Sequence, residues 1–297
     1  MDAHRELAAA DPPEREGDFE LCTLRSGARA VRHVGYGEVM HPAGGPWEEA
    51  NRLYIEQSQL AARLRAASRP VCVFDVGLGA ATNAVAALSC ARQVGGALEL
   101  HSFEIDLAPL RLALRDPAGF PFLADYREAA LSLIASGRWE QQGVRWVLHR
   151  GDVLDCLAAA PPRAELIFYD PFSPQHNPAL WTPAAFAAVR ACCRSDADGA
   201  LLFTYSAATP MRAALLVGGF YVGAGVATGT KRETTVGATR LDSLAAPLGA
   251  RWLARWERSS ARAPLGETLL TAEREREIRS HPQFAGESAL PRPGPGP

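Results

Sequence analysis

Short apolar runs alternate with helical stretches through the middle of the chain. Five runs are rich in β-branched and aromatic residues, and two more follow the Gly218-Gly219 break; they cover residues 71–76, 98–103, 144–148, 165–169, 200–205, 220–223 and 233–236. Strands that alternate with helices are typical of parallel crossovers. The pattern therefore predicts an α/β, Rossmann-like fold with a doubly wound, mostly parallel sheet of about seven strands.

The regions on either side of the sheet show weaker patterns. Residues 1–17 and 289–297 lack an apolar period, which predicts disorder at both ends. Residues 18–47 are expected to form a small β extension with a hairpin at Ser26-Gly27, and residues 246–288 a charged extension whose alternating Glu and Arg indicate a solvated helix. The main domain is then expected over residues 48–245.

Two further segments of that domain are predicted from spacing. Apolar residues at near-helical intervals predict one helix over residues 47–67, which Pro70 would end. The stretch 115–142 is longer than an ordinary crossover, and we expect it to add helices over the ligand edge of the sheet.

Composition narrows the class of protein. With 33 acidic and 31 basic residues the chain is nearly neutral, so any nucleic acid must bind to a local patch. No apolar stretch is long enough for a signal peptide or a membrane span, and the six cysteines form no C-x-x-C pair and have no histidine at metal-ligand spacing. These features predict a cytoplasmic protein with reduced thiols, no membrane contact and no metal.

A glycine-rich turn follows the first strand of the predicted sheet. Gly77 and Gly79 lie between this buried strand and the start of a helix, where backbone amides can approach a bound ligand. Thr82 stands where the dinucleotide pattern would have its third glycine, which disfavours NAD. A turn needed only for packing is the alternative interpretation.

Acidic residues follow the next two strands. Glu104 ends the second strand, where a carboxylate can accept hydrogen bonds from both ribose hydroxyls. Asp152 follows the third strand and can hold an adenine amino group, cap the next helix, or do both; Asp106 is better explained as a helix cap. Together these positions favour a site for an adenosine-containing cofactor.

The fourth strand ends at Asp170, within Asp-Pro-Phe-Ser-Pro. The carboxyl end of a strand is where ligands bind in this architecture. The two prolines stiffen the loop and present Phe172 toward the cleft, and an aromatic face beside a cation suits transfer from a sulfonium. The alternative is a tight turn without a chemical role.

This loop belongs to a longer pattern. Residues 169–186 read Y-D-P-F-S-P-Q-H-N-P-A-L-W-T-P-A-A-F and resemble the D-G/P-F-A/S-P-x-x-N-P-x-x-W-x-x-x-x-F signature of the tRNA methyltransferase domain of the MnmC family. Residues 52–60, 75–83, 206–220 and 229–233 resemble that family's R-Y-V-F-L-x-G-N-x-L, E-x-G-F-G-T-G-L-N, S-x-x-x-x-V-R-R-x-L-x-x-A-G-F and G-R-K-R-E segments. The family's G-T-G has become Gly79-Ala80-Ala81, and F-L-x-G-N has become residues 55–59.

The resemblance implies a class I methyltransferase that uses S-adenosylmethionine to methylate the amine of 5-aminomethyl(2-thio)uridine at the tRNA wobble position. It implies that Asp170 orients the amine and takes up its proton, and that Phe172 walls the pocket or stacks on the uracil. The family's motifs add three positions to the predicted cofactor site. The motifs and the local basic residues together give five positions for the predicted RNA site. The added cofactor positions are Tyr54, Asp75 and Asn83, and the RNA positions are His176, Asn177, Arg212, Lys231 and Arg232. Trp181 is expected in the core, where it would anchor the loop.

The fused family members also carry an FAD-dependent oxidoreductase domain, for which 297 residues leave no room. We therefore expect a form without FAD, whose aminomethyl substrate is made by separate upstream enzymes. Two other interpretations stay open. One is a small-molecule amine N-methyltransferase or spermidine-synthase-like aminopropyltransferase, and the other is a nucleotide- and RNA-binding module without catalysis.

Overall fold

A computed structural model describes residues 14–40, 45–159, 161–196, 198–228 and 232–285. The chain begins with a small antiparallel sheet in the order β1-β2-β3, in which β1 is Arg15–Glu16, β2 is Phe19–Thr23 and β3 is Arg29–His33. The turn between β2 and β3 holds Gly27 at φ +85°, so the hairpin predicted at Ser26-Gly27 is present. Disorder over all of residues 1–17 is wrong for β1, which pairs with β2; residues 1–13 lie outside the described residues.

The central sheet has eight strands. They are β4 (Val71–Val76), β5 (Leu98–Glu104), β6 (Arg138–Gln141), β7 (Val144–Arg150), β8 (Leu166–Tyr169), β9 (Leu201–Thr204), β10 (Tyr221–Gly225) and β11 (Thr234–Ala238). Their order is β10-β11-β9-β8-β4-β5-β7-β6, and the five strands from β9 to β7 are parallel. Because β5 and β8 flank β4 on opposite sides, the strand order reverses at β4, where ligands bind in such sheets. The predicted doubly wound α/β fold is confirmed.

The eighth strand, β6, is the one that the apolar pattern missed. It is a mostly exposed edge strand of polar sequence, paired antiparallel with β7, so it carries no alternation of buried positions. The helices predicted over the ligand edge at residues 115–142 are wrong in placement. This segment contains a 3-10 turn (Pro121–Tyr126), a helix (Arg127–Ser136) and β6, and none of its residues, all described, lines the cavity at that edge.

The described residues contain ten α-helices. They are α1 (Pro46–Ala50), α2 (Leu60–Ala66), α3 (Thr82–Val94), α4 (Ala108–Arg115), α5 (Arg127–Ser136), α6 (Val153–Ala158), α7 (Pro183–Ala191), α8 (Thr209–Val217), α9 (Ala250–Glu257) and α10 (Ala272–Arg279). Short 3-10 turns cover Pro178–Trp181, Leu241–Ser243 and Pro282–Phe284. No helix among the described residues is long and apolar enough to cross a membrane.

The single helix predicted over residues 47–67 is wrong. Between α1 and α2 the chain forms a π-helical segment, Asn51–Glu56, and then turns at Gln59, which has φ +55°. The side-chain oxygen of Gln57 accepts a hydrogen bond from the amide of Val226, beyond the end of β10. Helical spacing alone cannot reveal this contact, because the partner lies 169 residues away along the chain.

The charged C-terminal extension is less solvated than its sequence predicts. Trp252 and Trp256 of α9 and Ile278 of α10 are buried. The Gln283 side chain accepts a hydrogen bond from the Val222 amide at 2.6 Å and donates to the Val222 carbonyl at 2.7 Å. The extension therefore packs onto the β10 end of the sheet, with its charges on the outer face.

Candidate active site

A cavity of about 680 Å³ opens at the carboxyl ends of β4, β5, β7 and β8, beside the point where the strand order reverses. This volume lies in the range of small-molecule sites, about 300–1,000 Å³. The N-terminal sheet and the loop after β8 form the opposite wall. The cavity therefore lies between the sheet edge, where the cofactor is predicted to bind, and a wall formed by the N-terminal sheet and the loop after β8.

The glycine turn after β4 forms the floor of the cavity. Gly77 has φ +90°, and a Cβ atom there would stand 2.6 Å from the carbonyl oxygen of Asp170. Both the left-handed backbone and this contact require glycine. The turn and the loop after β8 therefore touch, which brings the predicted cofactor seat next to Asp170.

Glu104 holds the turn in place. Its Oε2 accepts a hydrogen bond from the Gly79 amide at 3.0 Å, and its Oε1 accepts from the amides of Ile105 and Asp106. Burial raises the pKa of Glu104, while these three amides act in the opposite direction. Oε2 accepts only the Gly79 bond and keeps a second lone pair, so Glu104 can still accept a hydrogen bond from a ribose hydroxyl.

The acidic residues after β5 and β7 both accept a hydrogen bond at the start of a helix, and Asp152 is the N-cap of its helix. Asp152 Oδ1 accepts from the Leu154 amide at 2.8 Å at the start of α6, and Asp106 Oδ1 accepts from the Ala108 amide at 2.8 Å before α4. Both side chains also line the cavity. The cap role and a role toward a ligand are therefore compatible at Asp152.

Asp170 lines the cavity, but three predicted cofactor residues do not. Asn83 Nδ2 donates to Asp170 Oδ2 at 2.8 Å, and Tyr54 is fully buried nearby, where burial first and the Asp170 carboxylate second raise the pKa of its hydroxyl. Asp75 is buried inside the sheet and accepts from Ser102 Oγ at 2.7 Å. Direct cofactor contact by these three residues is a wrong expectation. Their side chains lie behind the cavity wall, two of them beside Asp170.

The loop after β8 is fixed by its own core residue. Trp181 is completely buried, as predicted, and its indole donates to the carbonyl oxygen of Phe172 at 2.8 Å. Phe172, His176 and Asn177 line the cavity, as does Asp170. The loop therefore presents all four predicted residues to the same space.

The sequence analysis missed the other side of the cavity. The missed lining residues that carry rings or charges are Asp18, Phe19, His33, Tyr36, Glu38, Glu49, Phe103 and Tyr205. Tyr205 follows β9, so the rule that sites form at the ends of parallel strands points to it. No such signal exists for the N-terminal sheet, because Glu38 meets the loop after β8 across 135 residues of chain.

The cavity is strongly acidic. Among the described residues that line it there is no lysine or arginine. Its carboxylates are Asp18, Glu38, Glu49, Glu104, Asp106, Asp152 and Asp170. A cleft lined by one sign of charge concentrates ligands of the opposite sign, so this cavity favours cations.

The predicted phosphate-binding residues lie elsewhere. Arg212 is completely buried and donates to Thr235 Oγ1 at 2.9 Å, to the Thr234 carbonyl at 2.9 Å and to Glu233 Oε1 at 3.0 Å. Phosphate binding by Arg212 is therefore wrong, because its guanidinium joins α8 to β11. Arg232 is exposed but does not line the cavity, and Lys231 lies outside the described residues.

A second polar cluster lies away from the cavity. The donor atoms of Cys72, Glu99 and His101 lie within 4.8 Å of one another, a juxtaposition that sequence spacing did not predict. Arg145 pairs with Glu99 at 3.3 Å, and burial raises the pKa of the Cys72 thiol to about 12. Because Glu99 is already paired with Arg145, we assign no ion to this cluster.

The fold is that of a class I methyltransferase, and the comparisons agree. A family model described as S-adenosyl-L-methionine-dependent methyltransferase matches residues 123–240. The tRNA 5-methylaminomethyl-2-thiouridine biosynthesis bifunctional protein MnmC of Ectopseudomonas mendocina is 30% identical over 237 residues, which are 74% of this chain and 35% of that protein. The protein of the same name from an Azoarcus species is 32% identical over 211 residues, 67% of this chain and 32% of that protein.

The chain belongs to the S-adenosyl-L-methionine-dependent methyltransferases, whose cofactor is S-adenosylmethionine. Within that class it is related to MnmC, so the family recognised from the motifs is confirmed, although the chain spans about a third of the length of these curated relatives. The crystal structure of MnmC2 from Aquifex aeolicus has the same fold, with a TM-score of 0.68 and 23% identity over 90% of this chain and 84% of that one.

Proposed function

We propose that the chain transfers the methyl group of S-adenosylmethionine to the primary amine of 5-aminomethyl(2-thio)uridine at the wobble position of tRNA. The product would be 5-methylaminomethyl(2-thio)uridine. The observation that carries this proposal is the acidic cavity, whose described lining residues include seven carboxylates and no lysine or arginine. A sulfonium donor and an amine acceptor are both cationic in water, and both would be drawn to it.

The residues at the sheet edge fit the cofactor. Glu104 would accept from the ribose hydroxyls, and Asp152 would accept from the adenine amino group, with Gly77 and Gly79 leaving room at the turn. Bound there, S-adenosylmethionine supplies a methyl carbon activated by a positive sulfur. The contact between the Gly77 turn and the Asp170 backbone would bring this carbon close to the acceptor.

Asp170 would orient the amine. Asn83 binds its Oδ2, so the carboxylate is held in one position before substrate arrives. As the nitrogen–carbon bond forms and the carbon–sulfur bond breaks, the nitrogen must release a proton, which Asp170 can accept. Phe172 would stack on the uracil after it leaves the anticodon stack. His176 and Asn177 would contact the RNA at the cavity mouth, and Lys231 and Arg232 would bind phosphates outside it.

The same carboxylates favour the ammonium form of the acceptor, which cannot attack. We therefore expect the methylation rate to rise with pH across the neutral range, as more of the bound amine becomes neutral. A rate that falls over this range would contradict the identification of an amine as the acceptor.

The deciding experiment uses labelled S-adenosylmethionine with three acceptors: tRNA carrying 5-aminomethyluridine, the same tRNA with unmodified uridine, and putrescine. Methylation of only the first acceptor supports the proposal. Methylation of putrescine but not of tRNA would identify a small-molecule transferase. Tight cofactor binding without transfer to any acceptor would favour a binding module instead.

A further inference from the structure

Three aromatic side chains, two from the end of β3 and the turn after it and one from the loop after β8, stack at the mouth of the cavity. The Tyr36 ring lies 3.8 Å from that of His33, at an interplanar angle of 11°, and 4.4 Å from that of His176, at 12°. Tyr36 is 46% exposed, and the side chain of His176 is 25% exposed. We call these three residues the aromatic column. Exposed apolar surface beside a cavity is typical of a binding site.

The aromatic column is held rigidly between two elements. Glu38 follows Tyr36, and its carboxylate accepts from the amide of Ser173 at 3.0 Å and from the Ser173 hydroxyl at 2.8 Å. The same carboxylate lies 3.5 Å from His176 Nε2. The N-terminal sheet is therefore fastened to the loop that carries Asp170, and a ligand on the aromatic column would pay little ordering entropy.

The ring planes of His33 and Tyr36 are nearly perpendicular to that of Phe172, the ring predicted to stack on the target base. Phe172 makes an interplanar angle of 80° with Tyr36 and of 90° with His33, at centroid distances of 6.2 Å and 5.9 Å. Two bases seated on these surfaces cannot belong to one continuous stack, whose planes are parallel. They match two neighbouring bases that have been splayed apart, as in single-stranded RNA loops.

Charge explains why stacking is needed here. Because no lysine or arginine lines the described cavity wall, a phosphate near the mouth meets carboxylates and is repelled. Aromatic stacking holds a base without neutralising its phosphate and tolerates any base.

We propose that the aromatic column is a second nucleobase subsite, which stacks the nucleotide next to the target uridine. This inference rests on the proposed function, since it requires an RNA acceptor. All three rings line the cavity; His176, at one end of the column, carries the base on its outer face, while Tyr36 and His33 support the His176 ring on its other face.

The test is a double-mutant cycle that combines a protein variant with an RNA lacking one base. Anticodon stem-loops carrying 5-aminomethyluridine are made intact, with an abasic nucleotide on the 5′ side of the target, and with one on the 3′ side. Tyr36→Ala removes the ring that supports His176, and we expect kcat/KM on the intact RNA to fall roughly five- to a hundredfold, up to the loss of one whole base stack. One abasic RNA should show the same loss with the unaltered protein and little further loss with the variant.

Several controls separate stacking from folding. Tyr36→Phe and His176→Phe keep a ring and should retain most of kcat/KM on the intact RNA. Tyr221→Ala removes a ring that packs on His281 outside the cavity and should leave kcat/KM unchanged. The melting temperature and cofactor affinity of Tyr36→Ala should match those of the unaltered protein.

The outcomes are distinct. Equal kcat/KM for Tyr36→Ala and the unaltered protein on intact RNA overturns the second subsite and leaves the proposed function standing. Losses that simply multiply for both abasic RNAs also overturn it, because the ring and the neighbouring base then act independently. If the unaltered protein fails to methylate intact RNA, the proposed function itself fails.

Discussion

The exchange Asp170→Asn separates chemistry from binding at the site. The carboxylate of Asp170 interacts with the buried Tyr54 hydroxyl and accepts a hydrogen bond from Asn83 Nδ2 at 2.8 Å, and the Asp170 backbone amide donates to the Val76 carbonyl at 2.9 Å. An asparagine can keep both bonds if its carbonyl oxygen faces Asn83, and its shape is nearly that of aspartate. The amide nitrogen then takes the place of the second carboxylate oxygen, so a donor replaces an acceptor and the charge is lost. The substrate amine loses its orienting partner and its proton acceptor together.

We expect the single-turnover methylation rate to fall roughly ten- to a thousandfold, the range that positioned proton-transfer groups supply. This corresponds to about 1.4–4 kcal/mol of lost transition-state stabilisation. Cofactor affinity should change little, because Glu104 and Asp152, at the ends of other strands, would make the contacts to the adenosine. The decrease should therefore lie in the rate of transfer from the bound complex.

The assay follows labelled methyl transfer to tRNA carrying 5-aminomethyluridine with enzyme in excess, beside calorimetric titration with S-adenosylmethionine. Asn83→Ala is the matched variant, since it leaves the carboxylate but removes its anchor, and its rate should lie between those of Asp170→Asn and the unaltered protein. If Asp170→Asn keeps the full rate, Asp170 has no part in the transfer. If cofactor affinity falls as much as the rate, the residue belongs to the donor site instead.

Three further predictions follow from single residues. Glu104→Ala should weaken S-adenosylmethionine binding by about 1.5–3 kcal/mol in calorimetry, as expected for hydrogen bonds to a charged group, and unchanged affinity would place the ribose elsewhere. Burial, with a smaller contribution from His101, lowers the pKa of His149 to about 4 from 6.5, so its contribution to stability is complete above pH 6.5 and is lost as the pH falls toward 4. Because His149 is partly exposed, urea unfolding should show a loss of roughly 1–2 kcal/mol, which His149→Phe should reduce; equal acid sensitivity of both proteins would refute this assignment. Arg212→Met should destabilise the fold by about 3 kcal/mol in urea unfolding and leave the salt dependence of RNA affinity unchanged. A stable Arg212→Met protein with a weaker salt dependence would restore a phosphate role.

The sheet and its ligand edge could be predicted because they depend on local patterns. Buried parallel strands are continuous apolar runs, and β4 begins and ends at the predicted residues. Gly77, Glu104 and Asp170 were found because they end strands, and strand ends converge in this architecture whatever the rest of the chain does. The edge strand β6 was missed because an exposed edge needs no apolar face.

The errors come from residues whose role depends on partners far along the chain. The sequence pattern predicted a free cation at Arg212. In the structure its guanidinium donates to three acceptors, two in β11 and one on Glu233, the residue before that strand. Asn83 lies in the cofactor motif, but its amide turns to Asp170, 87 residues away. Side-chain direction at such positions is set by tertiary packing, which spacing and composition do not record.

Charge gives a reason why residues of the N-terminal segment line the same cavity as the sheet edge. A cavity that gathers two cations needs carboxylates, and carboxylates repel the phosphates of an RNA acceptor. Affinity for RNA must then come from uncharged contacts at the mouth, or from basic residues outside it. The sheet edge offers no free position for such contacts, because its strand ends already carry the turn, the caps and Asp170. The N-terminal sheet adds rings to the opposite wall, and Glu38 fastens them to the loop after β8. The two proposals thus place cation binding at the sheet edge and base binding in the N-terminal layer, which Glu38 and the stack of three rings connect to the loop after β8.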